Sequence, residues 1–159
     1  MNDALPLLQV EGLSRSYTLP RQSLLRRPER VQALQDITFE IAAGRSLGVV
    51  GESGSGKSTL ARVVMALEPP DAGRVLFRGQ DLSGLDAQAL RRLRREFQMV
   101  FQDPFGALDP RQKVAAIVAE PVFALRSRFA RQELHERVRD SLEAVGLRAA
   151  DMDKFPHQF

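Results

Sequence analysis

Residues 46–66 read SLGVVGESGSGKSTLARVVMA, an apolar run that breaks into a glycine-rich loop and resumes with helical spacing. No other stretch constrains the chain as strongly. Within it, Gly51-Glu52-Ser53-Gly54-Ser55-Gly56-Lys57-Ser58 fits the phosphate-loop pattern of Gly, four residues, then Gly-Lys-Ser/Thr. Each residue type has a physical reason. Gly51 lets the chain leave the strand expected at Leu47–Val50 sharply. Gly54 and Gly56 accept positive φ and keep Cβ atoms away from a bound phosphate. A helix starting near Lys57 aims its unsatisfied N–H groups and positive dipole end at the same point, where an anion gains roughly 0.3–1 kcal/mol. Lys57 adds a full positive charge, and the Ser58 hydroxyl suits Mg²⁺, a hard cation that prefers oxygen.

Composition removes several function classes. The 159 residues contain no cysteine, which excludes disulfides, thiolate metal sites and cysteine nucleophiles. Net charge is only +3, from 23 basic and 20 acidic residues, so nucleic acid is not an expected partner. The amino terminus lacks a basic region followed by a long apolar run, and no signal peptide is expected. The most apolar long run, Val114–Leu125, is interrupted by Glu120 and Pro121 and falls short of the roughly 18 residues that span a bilayer, so the chain is expected to be soluble.

In chain order, Leu7–Glu11 is expected to be a short strand, with Tyr17 following a polar turn. Leu19–Arg30, with Pro20, Pro28 and the arginines 21, 26, 27 and 30, reads as an exposed loop. Ile37–Ile41 alternates as a strand with one buried face. Leu47–Val50 is a continuous apolar run, expected to be a strand buried on both faces of a parallel or mixed sheet. After the helix from Lys57, the Glu68–Gly73 segment is a stop, Arg74–Phe77 a strand and Asp86–Arg95 a helix. Phe97–Phe101 again reads as a strand, left through Gln102-Asp103-Pro104. From Lys113 the spacing is helical, and Gly146 closes the last helix. Neither Asp103 nor Asp81 stands directly at a strand end, where a magnesium-binding carboxylate is wanted.

By Gln102 the residues closely resemble the ATP-binding subunits of ABC transporters, in particular the subfamily that drives oligopeptide, dipeptide and nickel uptake. VGESGSGKSTLAR looks like that family's Walker A, and FQDPFGALDPR, residues 101–111, looks like the subfamily's Q-loop with its Leu-Asn/Asp-Pro-Arg tail. The second is the more specific, since kinases and GTPases share the first. The resemblance implies an α/β P-loop NTPase (RecA-like) core with an amino-terminal antiparallel β subdomain over residues 1–102. It implies the start of a helical subdomain over 103–159. By the same resemblance Tyr17 stacks on adenine, and Gly51, Glu52, Ser53, Gly54, Ser55, Gly56, Lys57, Ser58 and Thr59 cradle the phosphates of ATP. Lys57 and Gln102 take part in catalysis. Ser58 and Gln102 reach Mg²⁺. Phe101, Pro104 and Phe105 are docking contacts for a permease.

The implied partners are transmembrane permease subunits, a second homologous ATP-binding subunit in a head-to-tail pair and, indirectly, a solute-binding protein. The implied location is peripheral, on the cytoplasmic face of the inner membrane. The family's signature sequence, Walker B aspartate, catalytic glutamate, D-loop and switch histidine are not found in the 159 residues. His157 lies on the wrong side of the signature position to be that histidine. The expectation is therefore a fragment of an importer ATPase that cannot hydrolyse ATP alone. The competing readings are a truncated non-hydrolysing ATP-binding module or gene remnant, and a different P-loop enzyme such as a small-molecule kinase, which leaves FQDPFGALDPR and Tyr17 unexplained.

Overall fold

A computed structural model of the chain describes residues 5–20, 28–124 and 129–159, with backbone only for Pro104 and Phe105. It divides into two units, residues 1–98 and 99–159. Most of the expected basic loop, residues 21–27, lies outside the described residues.

The first unit is built on an antiparallel sheet of strands β1 (Leu8–Thr18), β2 (Arg30–Ile41), β3 (Ala72–Phe77) and β4 (Gln80–Asp81), in the order β2-β1-β3-β4. Strand β1 is central and longer than expected. The turn placed before Tyr17 does not form, and the strand runs on to Thr18, with Tyr17 opposite Val31 of β2. The register shifts between Val10 and Leu13. In a regular strand these two side chains would point to opposite faces, but one extra residue at a bulge brings both to the same side. Both are fully buried, and they share a core with Leu34, Val63, Val75, Phe77 and Leu82. Gly73 permits the close pairing of β3: it has φ 82°, and an added Cβ would lie 2.4 Å from the carbonyl oxygens of Glu11 and Gly12.

Helices α1 (Lys57–Val64) and α2 (Ala87–Leu93) complete this unit. Val63 on α1 enters the core under the sheet. Asp86 caps α2, its carboxylate accepting from the N–H groups of Gln88 and Ala89 at 2.9 and 2.7 Å.

Two expected strands do not form. Residues 47–50 and 97–101 have no strand pairing, and Val50 and Val100 are 96% and 94% exposed. A strand buried on both faces exists only by pairing with neighbours, and no described strand lies against either segment.

The second unit contains α3 (Pro104–Ala107), α4 (Val114–Ala124), α5 (Arg131–Ala144) and the 3₁₀ turns Ala149–Asp153 and Pro156–Gln158. Ala119, Val138, Leu142 and Met152 form its core. The helical spacing from Lys113 onward is thus realised as two helices, and Gly146, at φ 83°, turns the chain after α5. Pro121 sits inside α4, where its ring removes one N–H from the helix ladder.

Asp151 is the buried carboxylate of this unit. It accepts the Arg148 N–H at 2.8 Å and stands 2.7 Å from the Lys154 ammonium. Lys154 first, and then the Arg148 N–H, push its carboxyl down to about 2 from the usual 3.8. The folded state therefore takes up this proton less readily than the unfolded chain. Its stabilisation is complete above the unfolded value and fades as the pH falls from 3.8 towards 2. Asp151→Asn is expected to lower the thermal unfolding midpoint at neutral pH. The gap from wild type should narrow as the pH falls through that window. A gap independent of pH would show that the carboxylate charge is not what matters.

Candidate functional site: the glycine loop and its surroundings

The loop at residues 51–56 leads directly into α1. Gly54 and Gly56 both adopt the left-handed backbone, with φ 82° and 91°. Around Gly54 there is open space, with nothing within 4 Å of an added Cβ, whereas a Cβ on Gly56 would lie 2.3 Å from the Ala33 carbonyl oxygen of β2. The loop is therefore seated on the sheet at Gly56 and open at Gly54.

Lys57 folds back over this loop. Its ammonium donates to the carbonyl oxygens of Gly51 at 2.7 Å and Glu52 at 2.6 Å, and to the Ser55 hydroxyl at 3.2 Å. All three acceptors are neutral. Among the described residues no carboxylate forms an ion pair with Lys57, so its full charge is held in place without being cancelled. Helix α1 has no side-chain cap and no acidic residue in its first turn. Its positive end is likewise left for an outside anion. Ser58, exposed, and Thr59, half-buried, stand in that first turn, and Glu52 and Ser53 are exposed in the loop. Residues 51–59 are thus contiguous at the start of α1, with the Lys57 ammonium folded over the loop. Among the described residues no group of three or more histidines or carboxylates could hold a metal by itself. Any divalent cation here would depend on phosphate oxygens and the Ser58 hydroxyl.

Tyr17, also in the first unit, stands on β1 and is half-buried. Its hydroxyl donates to Glu68 Oε2 at 2.5 Å, and the Arg15 guanidinium lies over the ring, 5.2 Å from its centroid. Arg15 in turn pairs with Asp71 at 2.9 Å. The Ser16 hydroxyl and N–H, at 2.6 and 2.7 Å, hold the Asp71 carboxyl below its usual range, with Arg15 adding to the effect. Sequence reasoning missed Glu68, which read only as part of a helix stop. The hint available was its place in a short loop just after α1.

Gln102 belongs to the second unit, where it is exposed two residues before α3. Phe101 is exposed, while the side chains of Pro104 and Phe105 lie outside the described residues. The Leu-Asp-Pro-Arg tail forms a tight turn. Asp109 accepts from the Arg111 N–H at 3.0 Å and from its guanidinium at 3.0 and 3.1 Å. The Arg111 side chain and then its N–H lower the Asp109 carboxyl to about 2. His157 stacks on Phe155, with ring centroids 5.7 Å apart.

The family model for the ABC transporter matches residues 34–159. The chain is 40% identical over 153 residues to the di/tripeptide transport ATP-binding protein DppF of Pseudomonas aeruginosa, covering 96% of this chain and 47% of that protein. It is 41% identical over 160 residues to the oligopeptide transport ATP-binding protein OppD of Mycobacterium tuberculosis, covering 100% of this chain and 26% of that one. The chain therefore spans about half the length of the first relative and about a quarter of the second. Among solved structures it resembles the dimeric ATP-binding cassette MJ0796 bound to ADP and Pi, with a TM-score of 0.76 at 24% identity, over 96% of this chain and 62% of that one. It also resembles cbiO1 of Clostridium perfringens, part of the ABC transporter complex cbiONQ, with a TM-score of 0.69 at 26% identity, over 97% and 55%.

Proposed function

The chain belongs to the ABC transporter family, and from that membership we propose that it is the nucleotide-binding portion of an ATP-binding subunit that powers solute uptake, with peptides as the cargo class. The observation that carries the nucleotide reading is the uncancelled charge of Lys57, held among three neutral oxygens beside an uncapped helix end. The printed functions of the relatives, di/tripeptide and oligopeptide transport, support the cargo class.

The loop fits a nucleotide polyphosphate. Open space at Gly54 leaves room for phosphate oxygens, and the N–H groups at the start of α1 have no side chain competing for them. Of the three Lys57 bonds the one to Ser55 is the longest, so it is the first to yield when a phosphate oxygen enters. Lys57 then neutralises charge on the polyphosphate while its bonds to Gly51 and Glu52 keep the loop shaped. Ser58 would hold Mg²⁺, which supplies charge neutralisation across the phosphates when bound. Tyr17 would receive the adenine ring, and by the family resemblance Gln102 would serve the hydrolytic step in a working subunit. ATP itself is the substrate. Hydrolysis in this reading belongs to the complete ATP-binding subunit in its head-to-tail pair, whose own Walker B carboxylates and whose partner's signature sequence join this loop around the ATP, while the permease is a docking partner.

The 159-residue chain is accordingly expected to bind MgATP saturably and to release no phosphate above background. Equilibrium dialysis with labelled ATP and a phosphate-release assay check the two halves. Absence of binding would overturn the nucleotide reading. Sustained Lys57-dependent turnover would overturn the division of labour and favour a self-sufficient P-loop enzyme.

A further inference from the structure

Arg15 and Tyr17 are two apart on β1, so their side chains leave the same face of the strand. Glu68 arrives from the turn after α1, about fifty residues later in the chain. Its Oε2 accepts the Tyr17 hydroxyl at 2.5 Å, within the range of a charge-assisted O–H···O⁻ bond. The same oxygen lies 3.8 Å from the Arg15 guanidinium, and Oε1 lies 3.7 Å from that of Arg62. The Glu68 and Arg15 side chains are only 25% and 20% exposed, so these contacts are partly shielded from water. A tyrosine ring has two torsions to fix. The hydroxyl bond anchors its tip, and Arg15, itself held by Asp71, occupies one face.

We infer that Glu68 is a positioning residue for Tyr17, fixing the ring plane and leaving the face opposite Arg15 to receive a purine base. This rests on the reading of Tyr17 as the base platform. Its consequence is mechanical. Helix α1, eight residues and about 12 Å long, begins at the phosphate loop and ends just before Glu68. One short rigid element therefore spaces the polyphosphate site from the carboxylate that orients the base platform.

A double-mutant cycle on the 159-residue chain tests this, with MgATP affinity from equilibrium dialysis as the first readout. Tyr17→Ala should weaken binding roughly five- to a hundredfold. Tyr17→Phe, which removes only the hydroxyl, and Glu68→Ala should each weaken it about fivefold. The double variant should lose no more than the worse single one. Glu68→Gln, which keeps a neutral acceptor, should recover part of the loss and serves where Glu68→Ala does not fold. Tyr17 is the only tyrosine, and there is no tryptophan, so tyrosine emission reports this ring alone. A carboxylate acceptor quenches phenol emission. Without nucleotide, Glu68→Ala and Glu68→Gln should therefore be brighter than wild type.

If Tyr17→Ala binds MgATP as tightly as wild type, the platform reading fails and the inference with it. If Tyr17→Ala weakens binding while Glu68→Ala and Glu68→Gln do not, the platform stands and the positioning role of Glu68 is overturned. Losses from Tyr17→Phe and Glu68→Ala that multiply in the double variant would overturn it too, because Glu68 would then act by a route independent of the ring.

Discussion

Replacing Lys57 by Ala is expected to cut affinity for MgATP roughly ten- to a hundredfold, the worth of one hydrogen bond to a charged group. The thermal midpoint should stay within a few degrees of wild type. The two halves follow from different surroundings of the same ammonium. Its partners in the free chain are the Gly51 and Glu52 carbonyls and the Ser55 hydroxyl. Gly51, Glu52 and Ser55 are all exposed, so water replaces the lysine there at little cost. The polyphosphate has no such substitute. The other groups of residues 51–59 that attract it are neutral: serine and threonine hydroxyls, backbone N–H groups and the end of an eight-residue helix. Lys57→Arg sharpens the test, since it keeps the charge but presents a planar fork that does not match the three-oxygen cradle. It should bind with intermediate affinity. Binding of MgATP by Lys57→Ala at wild-type strength would remove Lys57 from the site.

Local patterns were legible where they were self-sufficient. The glycine loop carries its signal in its own residues, and the helix behind it stands where the motif puts it, with α1 beginning at Lys57. The strand 37–41 carries its period-two alternation and 74–77 its flanking turn residues in the local sequence, and each lies within an observed strand. The segments 47–50 and 97–101 carry equally strong apolar signals but form no strand, because such a strand is completed only by neighbours and none is among the described residues. Composition describes how a segment behaves once paired, not whether a partner is present. The extension of β1 to Thr18 escaped notice for a related reason. The bulge between Val10 and Leu13 breaks the two-residue alternation that marks a strand, so the stretch reads as a turn. The Tyr17–Glu68 bond joins residues far apart in the chain, and no spacing rule connects them.

The second large effect concerns two glycines of one loop. Gly54 and Gly56 have nearly the same backbone, φ 82° and 91°, so alanine at either position carries the left-handed strain of about 1–2 kcal/mol. Their surroundings separate them. Nothing lies within 4 Å of a Cβ at Gly54, whereas at Gly56 the Cβ would sit 2.3 Å from the Ala33 carbonyl oxygen and 3.3 Å from Leu34 Cδ2. Ala33 is the unpaired residue of a bulge in β2, but it cannot retreat freely, because its neighbours Gln32 and Leu34 are paired with Ser16 and Arg15 of β1 and Leu34 is buried in the core. Gly56→Ala must therefore either push the loop off the sheet or disturb the β2–β1 ladder, and both routes move Lys57, the next residue. Urea unfolding should show Gly56→Ala losing at least about 1 kcal/mol more stability than Gly54→Ala, the added cost of overpacking. MgATP binding should be abolished in Gly56→Ala. In Gly54→Ala the loss should come with a largely intact fold, because the methyl group there intrudes only on space open to phosphate. Equal stability losses in the two variants would mean that the loop is not seated on Ala33, and the position of the Lys57 ammonium would then have to be set by the loop alone.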